Sequence, residues 1–282
     1  MLHLLRRHPL AVRAHFRHVV VLTYAFPAHA LHPLLPAALQ LDTFCAEEEL
    51  GFLAIALVQT EDLRPALLPA CLGQDFFLSG YRIFARFNAE QGARLRGLKI
   101  LRSDTDRRLM VCAGNALTHY NYHLCRAHLA ESATHLDLSV QTPGGAADLE
   151  LQVALAEAPA LPVGSPFSNW AQARRYAGPL PYTFDYEPET HSVVRILGVR
   201  TCWTPTPVEV CVRRCTFLDQ EPFIVFLRGS RARFISRTFR IAGNAVSSNR
   251  CLALPKGASH ARHLDADRRP APLSRAVPGP EL

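Results

Sequence analysis

The chain has 282 residues, of which 49% are hydrophobic and 20% are charged, and its formal net charge at pH 7 is +7. This composition is typical of a soluble globular protein, and the length suffices for one large domain or two small ones. The longest apolar run, residues 19–26, is far shorter than the ~18 residues that a membrane-spanning helix needs. We therefore expect a cytoplasmic protein with no membrane partner.

The basic residues are unevenly distributed. Residues 228–282 hold 11 of the 31 basic residues but only 3 of the 24 acidic ones, so residues 1–227 are close to neutral. The end of this segment is rich in Pro and Arg, which is typical of a solvated, disordered terminus. Nonspecific polyanion binding is the alternative, but this Pro- and Arg-rich end has no interleaved aromatic residues, and no nucleic-acid-binding motif is evident, which argues against nucleic acid as a partner. We predict a folded domain over residues 1–227 and a basic, partly disordered segment over residues 228–282.

The first 41 residues contain four arginines and no acidic residue. Organellar transit peptides show the same charge bias. No small-residue cleavage pattern follows the apolar stretch, so we interpret this region as a basic lead-in to a first strand.

No motif for a metal or a cofactor is evident. The eight cysteines include no Cys-x-x-Cys pair and have no further ligands at zinc-binding spacing, which favours reduced thiols. The sequence also lacks a Gly-x-Gly-x-x-Gly motif, a phosphate-binding loop and a Gly-x-Ser-x-Gly motif. We expect neither a metal nor a cofactor.

Short strand-like runs dominate the chain. Apolar and alternating patterns predict strands at residues 18–26, 50–60, 81–87, 95–103, 108–128, 136–140, 149–156, 192–200, 207–217 and 223–229. Turn residues predict hairpin connections at residues 102–109 and 141–148. Helices are predicted at residues 31–39 and 165–178, the second capped by Ser165. Many strands with few helices favour a barrel or a sandwich.

The segment 114–128, GNALTHYNYHLCRAH, concentrates polar rings in one predicted strand. Alternation would place His119, Asn121 and His123 on one face, and Tyr120 and Tyr122 on the other. Imidazoles four residues apart in a strand lie ~13 Å apart, which is too far for one metal ion. A neutral imidazole and an amide suit hydrogen bonding to a carbonyl or carboxylate. The alternative, ordinary hydrogen-bonded polar residues in a barrel wall, stays open.

Three charged residues of neighbouring predicted strands are further candidates. Arg82 lies among aromatic residues, and an inward guanidinium would bind an organic carboxylate. Lys99 has the opposite strand parity to Asp104, and a desolvated lysine can become nucleophilic. For Arg82 and Lys99 a position on the solvated face is the alternative, and for Asp104 the alternative is turn capping.

Several segments together resemble one family, domain of unknown function 2071. They include LHPLLPAALQLDTF, GFLAIALVQTEDLRPALLP, DFFLSGYRIFARF, LRGLKILRSDTDRRLMV, GNALTHYNYH and SPFSNWAQARRYAGPLPYTFDYE. The resemblance covers about residues 15–227. It implies an α+β, mainly β fold, a closed acetoacetate decarboxylase-like β-barrel with a few flanking helices, whose interior holds a small-molecule site.

The resemblance also bears on the chemistry. Acetoacetate decarboxylases carry a lysine pair on the strand that aligns with Leu117–Tyr120, and a glutamate where this chain has Leu78. Both are absent here, which argues against a Schiff-base mechanism. Arg82 matches an arginine common in the family, and Asp104 matches an aspartate that closes the next strand. The polar strand occupies the place of the decarboxylase nucleophile, which favours an inward His119.

The sequence thus predicts a barrel that binds a small organic acid or carbonyl compound and could act on it by acid–base chemistry without a Schiff-base lysine. We assign His119 as the catalytic residue, and as ligand-binding residues Arg82, Lys99, Asp104, Tyr120, Asn121 and His123. We expect Arg82, His119 and Asn121 to converge on one concavity. A non-catalytic ligand-binding or structural barrel is the alternative, and the ligand and the oligomeric state stay open.

Overall fold

The computed structural model describes residues 2–45, 48–89, 92–158, 160–162, 164–200, 205–228 and 237–253. Its strands belong to one 14-stranded sheet. They are β1 Val12–Pro27, β2 Gln40–Leu41, β3 Phe44–Cys45, β4 Glu49–Pro65, β5 Gln74–Asn88, β6 Arg94–Thr105, β7 Tyr122–Leu124, β8 Arg126–Glu131, β9 His135–Gln141, β10 Leu149–Glu157, β11 Tyr182–Glu187, β12 Ser192–Arg200, β13 Thr206–Cys215 and β14 Arg237–Ala253.

Helices are short and few among the described residues. The α-helices are α1 Ala28–Leu31, α2 Arg108–Leu117, α3 Trp170–Arg174 and α4 Phe223–Arg228. Single 3-10 turns occur at Leu2–Arg6, His32–Leu34, Ala70–Leu72 and Pro143–Gly145. The prediction of a mainly β protein with a few helices is confirmed. Among the described residues, no helix has both the length and the apolar character needed to span a bilayer.

The sheet follows the order β1-β4-β5-β6-β11-β12-β14-β13-β10-β9-β8. Neighbours along it are antiparallel except β6 and β11, which run parallel, as do β6 and β7 at the side of this order. The backbone of β14 pairs with β12, with β13 and also with β1. This strand lies within the predicted C-terminal segment 228–282. Residues 254–282 are outside the described residues, and the division of the chain at residue 227 stays a prediction.

The central strands are apolar on both faces because both faces are covered. Along β1, successive residues from Val19 to Leu22 are all buried and go alternately to two hydrophobic clusters. The Tyr81 cluster contains Val20, Leu22, Tyr24, Leu53, Ile55, Tyr81 and Ile83. The Phe52 cluster, on the opposite face, contains Val19, Val21, Phe52, Ala54, Ala56, Phe84, Leu98, Phe167 and Tyr176.

The segment around α3 covers the Phe52 cluster. Phe167 stacks on Phe52 with ring centroids 5.3 Å apart, and the Tyr176 ring lies 4.2 Å from Phe52. The hydroxyl of Thr23 on β1 donates a 2.8 Å hydrogen bond to the carbonyl of Tyr176. The predicted helix over residues 165–178 is therefore confirmed only over Trp170–Arg174. Its first turn is capped by the side chain of Asn169 rather than by Ser165.

The predicted strand over residues 108–128 is wrong. Helix α2 occupies Arg108–Leu117, residues 118–121 form a loop, and β7 and β8 follow. The partly or fully buried positions Met110, Gly114 and Leu117 recur at the helical spacing of four and three residues. The predicted alternation of His119, Asn121 and His123 with the tyrosines therefore does not occur.

The two predicted hairpins have different outcomes. At residues 141–148 the hairpin is confirmed, because β9 and β10 pair antiparallel from Val140 and Leu149 onward. At residues 102–109 it is wrong: β6 continues to Thr105 and leads directly into α2. The predicted helix at residues 31–39 is shorter than expected, since helical turns end at Leu34.

Candidate functional site

A cavity of about 120 Å³ lies beside the Phe52 cluster, against β4, β5 and β6. Its walls are mainly apolar, with a few polar side chains. The lining residues are Phe16, Val19, Ala56, Val58, Leu78, Gly80, Arg82, Ile100, Ser103, Tyr120, Tyr122, Pro179 and Arg200. A mostly apolar concavity with a small number of polar groups is the usual form of a small-molecule site.

Small residues and an irregularity in β6 shape the floor of this cavity. Ala56 on β4 pairs with Gly80 on β5, so little side-chain volume fills the space above them. The register between β5 and β6 shifts after Tyr81, which adds one residue to β6. Because of this bulge, Ile100 and Ser103, three residues apart, both lie on the cavity.

Arg82 projects from β5 onto the cavity and has no hydrogen-bond or ion-pair partner among the described residues. Within the described ranges its guanidinium makes no hydrogen bond or ion pair, and its Nε is buried with no acceptor. By contrast, Arg86 on the same strand donates from Nε to the fully buried Asp42 at 2.6 Å. Burial, and then the charge of Arg200, lowers the pKa of Arg82 to about 10. Arg82 is therefore still a cation at neutral pH.

Arg200, at the end of β12, is the second cation of the cavity. Its Nη1 donates to the carbonyl oxygens of Leu180 at 3.3 Å and of Gly198 at 3.2 Å. Its Nε is buried without an acceptor in the described part of the chain. Burial lowers the pKa of Arg200 to about 10. These two carbonyls hold the guanidinium but leave its charge without a counter-ion.

Two tyrosines from the segment after α2 complete the wall. The amide of Tyr122 donates to Asn115 Oδ1 at 2.8 Å, and Asn115 Nδ2 donates back to the Tyr122 carbonyl at 2.9 Å. The Tyr122 ring lies against Gly114, where a Cβ atom would be only 2.3 Å from the ring. Burial, reinforced by the negative charge of Asp185, raises the pKa of Tyr122 to about 12.

A buried ionic cluster lies beside this wall. We define the Asp185 cluster as His8, Lys99, His119 and Asp185. The Asp185 carboxylate is fully buried, with His8 Nε2 at 3.0 Å, His119 Nδ1 at 3.3 Å and Lys99 Nζ at 3.5 Å. The His8 ring lies 4.7 Å from that of Tyr120, which also lines the cavity. The cluster and the cavity thus meet at Tyr120.

The carboxylate is the anion that balances this cluster. Burial alone would raise the pKa of Asp185, but hydrogen bonds from His119 and His8 and the charge of Lys99 hold it well below its usual range. Burial lowers the pKa of Lys99, although the charge of Asp185 opposes that shift. Asp185 is therefore ionised at neutral pH.

The structure separates the residues that the sequence assigned to one site. Arg82 and Tyr120 line the cavity, whereas Lys99 and His119 belong to the Asp185 cluster. The exposed Asn121 has a left-handed backbone, with a φ of 54°, and donates from Nδ2 to the carbonyl of Leu101.

The last two assigned residues lie away from the cavity. His123 Nε2 is 3.1 Å from the Asn121 side-chain oxygen. Asp104 is buried and accepts hydrogen bonds from Ser79 and Arg102. The predicted convergence of Arg82, His119 and Asn121 is therefore not found, because helix α2 and the loop after it replace the expected strand.

Sequence reasoning missed Arg200, Tyr122 and Ser103. Arg200, like Arg82, is a cation in a mainly apolar strand pattern, but Arg195 of the same strand carries the same signal, so the pattern does not distinguish the two. Ser103 could not be placed because the bulge in β6 reverses its strand parity. No three His, Cys, Asp or Glu side chains form a metal-binding group within the described residues, and the absence of a metal and of a cofactor stays a prediction.

Residues 13–227 match the family model for domain of unknown function 2071, whose description is "uncharacterized conserved protein". This match confirms the resemblance noted in the sequence. No protein with a curated description matches the chain.

Solved structures with a similar fold include an acetoacetate decarboxylase, an acetoacetate decarboxylase-like enzyme and an enduracididine biosynthesis enzyme. The acetoacetate decarboxylase of Legionella pneumophila is 12% identical with a TM-score of 0.56, over 86% of this chain and 87% of that one. An acetoacetate decarboxylase-like enzyme from Sphingomonas wittichii is 14% identical with a TM-score of 0.52, over 87% and 91%. The enduracididine biosynthesis enzyme MppR with HEPES bound is 12% identical with a TM-score of 0.52, over 89% of each chain. At these identities the similarity concerns the fold alone.

Proposed function

Because the chain belongs to the domain of unknown function 2071 family and its fold is similar to that of acetoacetate decarboxylase, we propose that it binds a small carboxylate- or carbonyl-bearing metabolite in the cavity. Arg82 is the anion-binding residue of this proposal. The hydroxyl of Ser103, which also lines the cavity, is the group that we assign to a carbonyl or a second oxygen of the ligand.

The observation that carries the proposal is the unpartnered guanidinium of Arg82. A buried charge that lacks a counter-ion is unfavourable by several kcal/mol. A carboxylate can accept two parallel hydrogen bonds from one guanidinium and supplies the missing negative charge. Binding a carboxylate at Arg82 would therefore remove an unfavourable feature of the free protein.

The size of the cavity limits the ligand. Its volume of about 120 Å³ is slightly below the ~150 Å³ of an engineered protein cavity that holds benzene. A ligand with about five to seven non-hydrogen atoms fills this space. The proposal therefore concerns short-chain acids and not extended metabolites.

We further infer that β1, β4, β5, β6, β11, β12 and β14 form a closed barrel around the cavity. The support is that β14 pairs both with β12 and with β1, the two ends of this run of strands. Closure would keep water from the bound anion. In such a water-poor site the attraction between guanidinium and carboxylate is stronger than at a surface.

The proposal does not include a Schiff base. Lys99 is paired with Asp185 and is absent from the cavity lining, and Lys256 lies outside the described residues. An acid–base role for His119 stays a prediction. His119 contacts Asp185. In the loop of residues 118–121 it is Tyr120, the residue after His119, that lines the cavity.

A non-catalytic ligand-binding protein is the second candidate. Among the described residues that line the cavity there is no histidine, lysine or carboxylate that could exchange a proton at neutral pH. Binding without turnover needs only the guanidinium and the hydroxyl groups.

Isothermal titration calorimetry with acetate and with pyruvate tests the binding proposal. The intact chain should bind both acids, and Arg82→Met should weaken binding by about 100-fold, because two charge-assisted hydrogen bonds are lost. Arg94→Met is the matched control, since Arg94 is exposed at the start of β6. Absence of binding, or equal affinity in Arg82→Met, would overturn the proposal.

A further inference from the structure

The cavity contains one more positive charge than a single carboxylate requires. Both Arg82 and Arg200 line it, and each has an Nε that is buried with no acceptor among the described residues. The two guanidinium groups are close enough for the charge of Arg200 to lower the pKa of Arg82. A monoanion bound at Arg82 would supply one negative charge against the two positive charges of Arg82 and Arg200.

Among the described residues, no negative charge neighbours either arginine in the cavity wall. The described lining residues include no Asp or Glu, and neither arginine forms an ion pair within the described ranges. The strand β14, which pairs with β1 and β12, also contains no acidic residue in its sequence. Elsewhere in the fold, buried charges are neutralised internally: Asp42 pairs with Arg86 and Arg96.

We propose that the ligand is a compact dianion, held between Arg82 and Arg200, and specifically a two- or three-carbon dicarboxylate. This inference rests on the proposed function and names its substrate class. One carboxylate takes the free donors of Arg82, and the second reaches the Nε side of Arg200, whose Nη1 is already bonded to two carbonyl oxygens. The volume of about 120 Å³ restricts the separation of the two charges to a short carbon chain.

The test compares anions of different charge at constant ionic strength by calorimetry. Oxalate and malonate should bind the intact chain at least about tenfold more tightly than acetate, because a second charge-assisted contact is gained. Inorganic phosphate, titrated at a pH above its second pKa, is included because it is then also a dianion but is tetrahedral and has no carbon chain. Phosphate binding more tightly than both dicarboxylates would overturn the assignment to dicarboxylates.

Variants of Arg200 isolate the second charge. Arg200→Gln should weaken oxalate binding by about tenfold and acetate binding by less than about threefold. Arg200→Lys, which keeps the charge but loses the forked donors, should lie between Arg200→Gln and the intact chain for oxalate. Arg195→Gln is the matched control on the same strand, because Arg195 is absent from the cavity lining. Circular dichroism and the thermal midpoint verify that each variant is folded.

The two proposals fail in different ways. Equal affinities for acetate and oxalate, with both lost in Arg82→Met, would overturn the dianion and leave carboxylate binding intact. Equal weakening of acetate and oxalate by Arg200→Gln would also overturn it. Loss of the Arg82 dependence for every anion would overturn the proposed function itself.

Discussion

The backbone amide of His119 donates a 2.8 Å hydrogen bond to Oδ2 of Asp185, and the imidazole Nδ1 of His119 lies 3.3 Å from the same oxygen. This double contact fastens the loop after α2 to β11. Tyr120 is the next residue of the loop and lines the cavity. The Asp185 cluster therefore positions one wall of the candidate site.

Substituting Asp185 should destabilise the protein strongly. Asp185→Asn removes the anion that balances the partly buried Lys99, and loss of one partner from a buried ion pair typically costs about 3 kcal/mol or more. Denaturant unfolding at neutral pH measures the change in the free energy of unfolding. Asp219→Asn, at an exposed position, is the control and should change it by less than about 0.5 kcal/mol. A loss below about 1 kcal/mol in Asp185→Asn would contradict the role given to this carboxylate.

The same carboxylate should give an acid-dependent stability. Its pKa is lowered in the folded protein, so its contribution is fully present above the ordinary aspartate pKa of about 3.9 and is lost progressively as the pH falls from that value through the lower pKa of the folded protein. The groups that face it are His8, Lys99 and His119. The difference in unfolding free energy between the intact chain and Asp185→Asn should therefore shrink as the pH falls from about 5 to about 2. A difference that stays constant across this interval would refute the prediction.

Lys99 should not form a covalent adduct with a β-keto acid. Its amine lies 3.5 Å from Asp185, which favours the protonated form, and it is absent from the cavity lining. Incubation with acetoacetate followed by borohydride should leave the intact mass unchanged. A stable adduct that maps to Lys99, and that disappears in Lys99→Arg, would show that the amine reaches the ligand.

Gly114→Ala should destabilise the protein and weaken carboxylate binding. Replacing glycine by alanine in a helix normally stabilises it by up to about 1 kcal/mol. Here the added methyl group would meet the Tyr122 ring at 2.3 Å, so the ring must move away from the cavity wall. We expect a loss of about 1–3 kcal/mol in denaturant unfolding and a measurable rise in the Kd for acetate.

Ala116→Gly is the control for this helix. Ala116 is exposed in α2, so its replacement should cost about 1 kcal/mol and leave the Kd unchanged. If Gly114→Ala bound acetate as tightly as the intact chain, Tyr122 would not shape the site.

The central strands could be predicted from the sequence because their apolar character is continuous. In β1 and β4 both faces are buried, so runs such as residues 19–22 and 52–58 identify strands without any need for alternation. The strand prediction failed at residues 108–117, where the sequence fits both the two-residue period of a strand and the 3.6-residue period of a helix. Residues 108–117 contain apolar and small residues that fit a strand or a helix, and only burial at Met110, Gly114 and Leu117 decides for the helix.

The sequence predicted Arg82 as a residue of the cavity, but it placed His119 and Asn121 beside Arg82 wrongly. Arg82 could be identified because a cation among aromatic residues of a strand is unusual. The assignment of His119 and Asn121 to the same surface depended on strand alternation, which α2 and its loop abolish. The pairing of Arg82 with Arg200 joins residues 118 positions apart in the chain, and no local pattern of the sequence contains that information.

A crystal structure of the protein grown with pyruvate tests the central claim most directly. We expect the carboxylate in the cavity, with two oxygens about 3 Å from guanidinium nitrogens of Arg82 and with Tyr120 and Arg200 around the rest of the pyruvate. Pyruvate bound elsewhere, with Arg82 directed away from the cavity and bonded to protein carbonyl oxygens, would contradict it.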